Sequence, residues 1–232
     1  MLDFKMSLRA KMQNRCESDT DGIVRMKGDS KMNNETKKIG VRQIAVTAML
    51  SAVAFVLMYL EISIPIMPSF IKFDFSDLPA LLGAFALGPV YGVIIELIKN
   101  VLHLVASQSL FIGELSNFIL GAFFTFTAGL IYSKKKTKTR ALIGGVAGAL
   151  VMGLVSIASN YYLVYPIYVT VFFGGDENIC VGMYQAIAPF VDSLMECLLV
   201  FNLPFTVIKG LISVVISMLI YKPLSPILKG NK

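Results

Sequence analysis

Charge is scarce in this chain. Of its 232 residues only 16% are Asp, Glu, Lys or Arg, against about 25% in ordinary soluble domains. There is one histidine, His103, and there are three cysteines, Cys16, Cys180 and Cys197. One imidazole and three thiols without metal-ligand spacing exclude a metal site built on them. Cys180 and Cys197 would pair only if both lay outside the cell, and free thiols are the expected state. The chain has no G-x-x-x-x-G-K-S/T phosphate loop, no H-E-x-x-H and no G-x-S-x-G, which removes ATP binding by that loop and the commonest hydrolase centres. Thr206-x-x-Lys209 has the spacing of an S-x-x-K element but none of its companion motifs. The polar amino-terminal stretch lacks an apolar h-region, so no cleavable signal peptide is expected.

What is present is apolar surface. The chain is 56% hydrophobic with a mean hydropathy of +0.71, and several runs approach the roughly 20 residues that cross a bilayer. These values predict an all-α integral membrane protein. The net charge of +6 is not a nucleic-acid signature, because the basic residues stand in short tracts beside the apolar runs, where they set orientation.

Residues 1–40 are polar and without apolar periodicity, which predicts a disordered cytoplasmic tail. Met26 and Met32 offer later starts, so part of 1–31 is expected to be a mis-called start or dispensable. The membrane domain is expected over 41–232. A first helix is predicted over 43–60, with Ala48 and Ala52 forming a small-xxx-small pair for close helix contact, within the chain or with a partner. Residues 61–77 contain two prolines yet are too apolar for a solvated loop, which predicts a wall or lid lining a cavity at membrane depth.

A short apolar segment (78–87), the Gly88-Pro89 turn and a helix over 90–105 follow. In that helix Glu96 and Lys99 share a face and are expected to pair. Another helix is predicted over 113–132, with Glu114 and Asn117 at its start. The basic tract Ser133-Lys-Lys-Lys-Thr-Lys-Thr-Arg140 is then placed in the cytoplasm. Gly144, Gly145, Gly148, Ala149 and Gly153 give the next helix (141–160) a close-contact face. It ends at Asn160, ahead of Tyr161, Tyr162, Tyr165 and Tyr168. Residues 173–178 read as an outer loop, 183–200 as an amphipathic or partly inserted segment, and 202–221 as the last span. With both termini and the basic loop cytoplasmic, the number of spans is even, and about six fits, with a long first outer loop.

The last span contains Lys209, about 10 Å into the bilayer. An ammonium at mid-helix costs on the order of 2.5–3.5 kcal/mol, so a polar partner is required. One reading is snorkelling or a buried carboxylate; the other is a ligand. This topology gathers Asn117, Asn160, Asn202, Thr206 and Lys209 in the outer half of the membrane, beside the loop containing Phe73, Asp74 and Phe75. Amides, a hydroxyl and an ammonium walled by aromatic rings suit a flat heteroaromatic ligand with carbonyl and ring-nitrogen acceptors.

Asp74-Phe-Ser-Asp-Leu-Pro79, Gly88-Pro-Val-Tyr-Gly-Val-Ile-Ile-Glu-Leu-Ile-Lys-Asn100, Asn160-Tyr161 and Pro204-Phe-Thr-Val-Ile-Lys-Gly210 together resemble the riboflavin-binding S components of energy-coupling factor (ECF) vitamin transporters, over about residues 42–221. The resemblance implies a six-helix membrane protein without enzymatic activity or cofactor. Riboflavin would be its transported ligand, taken from outside and released inward by a transmembrane coupling protein and two ATP-binding subunits. It also implies that Asn160 and Lys209 hydrogen-bond the isoalloxazine ring and that the loop at Phe73, Asp74 and Phe75 closes over it. Asn117 likewise matches a family position, and Ala48 and Ala52 match the alanine motif that docks on the coupling protein. Thr206 stands where the family can have asparagine, which removes an amide donor and acceptor; Asn202, one turn earlier, is placed to compensate. Two other readings stay open: an S component for another vitamin or flavin precursor, and a small lipid-acting membrane enzyme using Glu114 with Glu196 as an acid/base pair.

Overall fold

The computed structural model describes residues 40–68, 71–107 and 109–229, with side chains described through Tyr221. The chain divides into Met1–Ile39 and Gly40–Lys232; the expected tail belongs to the first unit and lies outside the described residues.

The second unit is a helical bundle. Helix α1 (Val41–Tyr59) opens at Gly40, whose N–H donates to Gln43 Oε1 at 3.0 Å. Its Thr47 and Ser51 hydroxyls donate to the carbonyls of Gln43 and Thr47, at 2.7 and 2.9 Å, so neither leaves an unsatisfied group in an apolar setting. Val46, Leu50, Ala54 and Met58 form its buried stripe at helical spacing. Ala48 and Ala52 lie on the exposed face.

The connection to the next helix holds a two-residue antiparallel pairing, β1 (Ile62–Ser63) with β2 (Lys72–Phe73). Helix α2 (Asp77–Ala86) follows, with Asp77 in its first turn. Gly88 turns the chain at φ 127°, a conformation only glycine takes without strain, and Pro89 opens α3 (Pro89–His103), which tightens into a 3₁₀ turn through Ala106. Helices α4 (Ile112–Lys134) and α5 (Lys138–Ser159) form a hairpin across the basic tract. The predicted small-residue set of α5 splits between two neighbours: a Cβ at Gly144 or Gly148 would come within 2.7 Å of the Ala128 or Phe124 carbonyl oxygen of α4, whereas Gly145 and Gly153 meet Val214 and Val207 of the last helix.

Two stretches depart from expectation. The helix predicted to stop at Asn160 continues through a π turn (Asn160–Val164) into α6 (Tyr165–Phe172). The segment expected over 183–200 is instead α7 (Glu177–Gln185), a non-helical passage, and α8 (Leu194–Cys197). A second π turn (Leu198–Asn202) then leads into α9 (Leu203–Lys229). The last span therefore begins at Leu194, ahead of Asn202. Both π turns precede a proline, Pro166 and Pro204. Proline lacks an N–H and its ring crowds the carbonyl four residues back, which here belongs to Tyr162 and Val200, inside each π turn. The wider turn relieves that clash without ending the helix, and π turns recur at functional sites.

Among the described residues, five helical runs are long and apolar enough to cross a membrane: Val41–Tyr59, Pro89–Ala106, Ile112–Lys134, Lys138–Phe172 and Leu194–Tyr221. Helix α2, with 10 residues, covers about 15 Å, half a hydrocarbon core. Leu154 is 65% exposed and Leu219 72%, which suits a lipid solvent. The apolar core has three parts. Leu50, Ala80, Leu82 and Ile95 join α1, α2 and α3. Leu81, Phe124, Met152 and Val214 join α2, α4, α5 and α9. Tyr165, Tyr184, Cys197 and Phe201 tie α6, α7 and the start of the last run together.

Candidate functional site

Where these helices end away from the basic tract, they leave a cavity of about 560 Å³, within the 300–1,000 Å³ range of small-molecule sites. Met58 and Tyr59 come from the end of α1, His103 from the end of α3, and Asn117 and Leu120 from early α4. Asn160 and Tyr165 come from the first π turn and α6, and Asn202, Phe205, Thr206 and Lys209 from the second π turn and α9. Ile71, Lys72 and Asp74 close one side from the β1–β2 connection.

Lys209 is 6% exposed and meets two carboxylates. Its Nζ donates to Asp74 Oδ2 at 2.9 Å and stands 3.2 Å from Asp77 Oδ2. Of the two readings from the sequence, the buried carboxylate is therefore realised, while Lys209 also lines the cavity. Burial alone would raise the Asp74 carboxyl; the Lys209 and Lys99 ammoniums, with hydrogen bonds from Ser76 and Lys209, outweigh it and hold the group below the ordinary carboxylate range. Asp74 Oδ1 accepts the Ser76 N–H at 2.8 Å, so the carboxylate is fixed at both oxygens.

Behind this pair lies a second charged layer. The predicted Glu96–Lys99 pair forms at 2.8 Å, and Lys99 also reaches Asp77 Oδ1 and Ser76 Oγ, each at 2.6 Å. Lys99, Glu96 and Asp77 have no solvent exposure. The part of Asp77 as their shared partner was not read from the sequence, where it appeared only as the end of a loop.

Asn117, Asn160 and Thr206 line the cavity and, among the described residues, their side chains have no hydrogen-bond partner. Asn202 differs. Its Oδ1 accepts from the Tyr184 hydroxyl at 2.8 Å and its Nδ2 donates to the Tyr165 hydroxyl at 3.0 Å, while the two phenols bond each other. With both ends of its amide engaged, Asn202 holds α6 and α7 to the last run and has little left to offer in place of an asparagine at Thr206. Phe73 and Phe75 do not line the cavity; they stack edge-to-face at 5.1 Å, with Phe73 also 6.2 Å from Phe205, and support the wall from behind. Of the loop residues singled out from sequence, Asp74 alone faces inward.

Glu114, buried in the lining of the same cavity, gathers a polar cluster. Oε1 lies 2.9 Å from His103 Nδ1, and Oε2 accepts from the Ser107 and Ser109 hydroxyls at 2.9 and 3.0 Å. The Tyr59 ring stands 5.0 Å from His103. The Glu114–Glu196 acid/base pair does not form: Glu196 is exposed, caps its own segment by accepting the Asp192 N–H, and is absent from the cavity lining. His103, Ser109, Tyr165 and Tyr184 were not anticipated as site residues. His103 shares a helical face with Glu96 and Asn100 and is the chain's one imidazole, which marked it without supplying a partner.

Residues 42–221 match the family described as ECF transporter, substrate-specific component. The chain is 33% identical over 204 residues to Riboflavin transporter RibU of Staphylococcus aureus (strain TCH60), covering 88% of this chain and 99% of that protein. It is 30% identical over 190 residues to Riboflavin transporter FmnP of Bacillus subtilis (strain 168), covering 80% and 93%. A solved structure described as the S component of a bacterial ECF transporter superposes with a TM-score of 0.64 at 33% identity, covering 81% of this chain and 97% of that one. A family match over most of the described bundle, with relatives aligned along nearly their whole length, shows that this chain belongs to the substrate-specific components of ECF transporters.

Proposed function

We propose that this chain is the riboflavin-capturing component of an ATP-driven ECF importer. The single observation that supports this most is the set of unpaired polar groups, Asn117, Asn160 and Thr206, facing one cavity beside an ammonium that is only partly spent. A flavin ring offers carbonyl oxygens, ring nitrogens and one N–H on a flat apolar frame, which such groups can meet in the plane while Phe205 and Leu120 cover its faces. The names of the aligned relatives point the same way.

In this reading Asn160, Thr206 and Lys209 address the ring, Asn117 assists, and Asp74 and Asn202 act by holding neighbours in place. The cavity opens outward and the tract at 133–140 faces the cytoplasm, by the positive-inside rule. A coupling protein docks on the exposed α1 face at Ala48 and Ala52, and two ATP-binding subunits supply the energy, since this chain has no phosphate loop.

Titration of the purified chain with riboflavin, followed by quenching of flavin fluorescence, tests the proposal. Saturable one-to-one quenching supports it. Folded protein that leaves flavin fluorescence unchanged while binding another vitamin overturns the choice of ligand.

A further inference from the structure

Lys209 and Lys99 are both buried ammoniums, but their three N–H donors are used differently. Lys99 is held wholly within the protein: it donates to Ser76 Oγ and Asp77 Oδ1 and forms an ion pair with Glu96 Oε2 at 2.8 Å. Lys209 donates to Asp74 alone and stands as an ion pair with Asp77, and it alone of the two lines the cavity. Asp77 is shared unequally: it stands 2.6 Å from Lys99 and 3.2 Å from Lys209. Lys99 itself is remote from the ligand space, since neither it nor Glu96 nor Asp77 lines the cavity.

We propose that Lys99 is a positioning residue for Lys209: by holding Asp77 from the far side, it keeps the second carboxylate from drawing the Lys209 ammonium out of the cavity, so that its N–H donors not spent on Asp74 remain for the ligand. Without Lys99, Asp77 would be a fully buried carboxylate whose nearest cation is Lys209. In so dry a setting the unshielded attraction is strong, and the ammonium would settle between Asp74 and Asp77. Glu96 belongs to the same device, because it is the second carboxyl group paired with Lys99. A methyl group at Gly121 would overlap the Glu96 carboxylate, so α4 seats it from the other side.

This inference rests on the reading of Lys209 as a ligand donor, and it is tested on the full chain by riboflavin titration. Lys99→Met alone leaves Glu96 buried without its partner, so it is paired with Glu96→Gln, which removes both members of that pair. Expected is a loss of affinity of about tenfold or more, the scale of one hydrogen bond to a charged group, with the helical circular dichroism intact. In a Lys209→Met background the same pair of substitutions should change affinity by less than about twofold, because residues acting through one another are not additive. Unchanged affinity in the first background, or the same loss in both, would overturn the proposal.

Asp77→Asn, of the same shape, serves where the paired variant does not fold. It cuts the link at its centre and should leave affinity undiminished, whereas a loss as large as that of Lys209→Met counts against the idea. Should the unaltered chain ignore riboflavin, the proposed function falls. The positioning claim is then judged by an experimental structure of the Lys99→Met/Glu96→Gln protein, in which Lys209 Nζ must have moved onto Asp77, and an unmoved ammonium refutes it.

Discussion

Lys209 and Asp74, separated by 135 positions in the chain, meet at 2.9 Å at the edge of the cavity. The contact joins the β1–β2 connection to the last span, so one ion pair both closes a wall and presents an ammonium to the ligand space. It is also why the membrane-spanning part of α9 tolerates Lys209, since the charge is buried against its counter-ions rather than against lipid.

Replacing Lys209 should therefore have two separable effects. Lys209→Met is expected to weaken riboflavin binding by about tenfold or more and to lower the melting temperature. It strands Asp74, and breaking one partner of a buried pair costs about 3–5 kcal/mol. Adding Asp74→Asn removes the stranded charge. Thermal unfolding should then recover while titration still shows weak binding. Recovery of both, or of neither, would contradict the assignment.

Ala48 and Ala52 face outward on α1, away from its buried stripe at Val46, Leu50, Ala54 and Met58. Leucine at both positions should leave riboflavin affinity of the purified chain unchanged and abolish uptake by cells expressing the whole transporter. The direct readout is radiolabelled riboflavin accumulation, and retained uptake would dismiss this face as the docking surface.

Tyr184 is fully buried and its hydroxyl satisfies Asn202. Tyr184→Phe removes that donor and leaves a buried amide oxygen unpaired, at a cost of about 1–3 kcal/mol. A drop in melting temperature is expected. Ligand affinity should fall less than in Lys209→Met, because Asn202 acts by tying helices together.

Cys180 and Cys197 are free and buried. Burial, with Cys197 and Glu177 nearby, pushes the Cys180 thiol up to about 12, so almost none of it is thiolate near neutral pH. In a Cys16→Ser background, a maleimide at pH 7.5 should label the folded protein slowly and the sodium dodecyl sulfate-denatured protein at both cysteines within minutes. Rapid labelling before denaturation would contradict the packing around α7.

The membrane class, most helix positions, the Glu96–Lys99 pair and the polar set Asn117, Asn160, Asn202, Thr206 and Lys209 were legible in the order of residues. Apolar run length and i, i+3 or i, i+4 spacing are local quantities, and an ammonium in an apolar run announces that something must meet it. The partners of these groups were not legible. Phe73, Asp74 and Phe75 read together as a lid or wall and Asp77 as the end of its loop, because a connection broken by prolines has no periodicity to say which side chain turns inward. The π turns were hidden for a related reason: the residue pattern sets helix ends at Asn160 and Asn202, yet both helices run through these points, leaving the Asn160 side chain to the cavity and spending that of Asn202 on two tyrosines. Composition and spacing thus determined the solvent this chain folds in and which residues needed partners. Only the packing of distant segments decided who the partners are, because the choice among buried acceptors depends on distances of a few ångströms that no local pattern encodes.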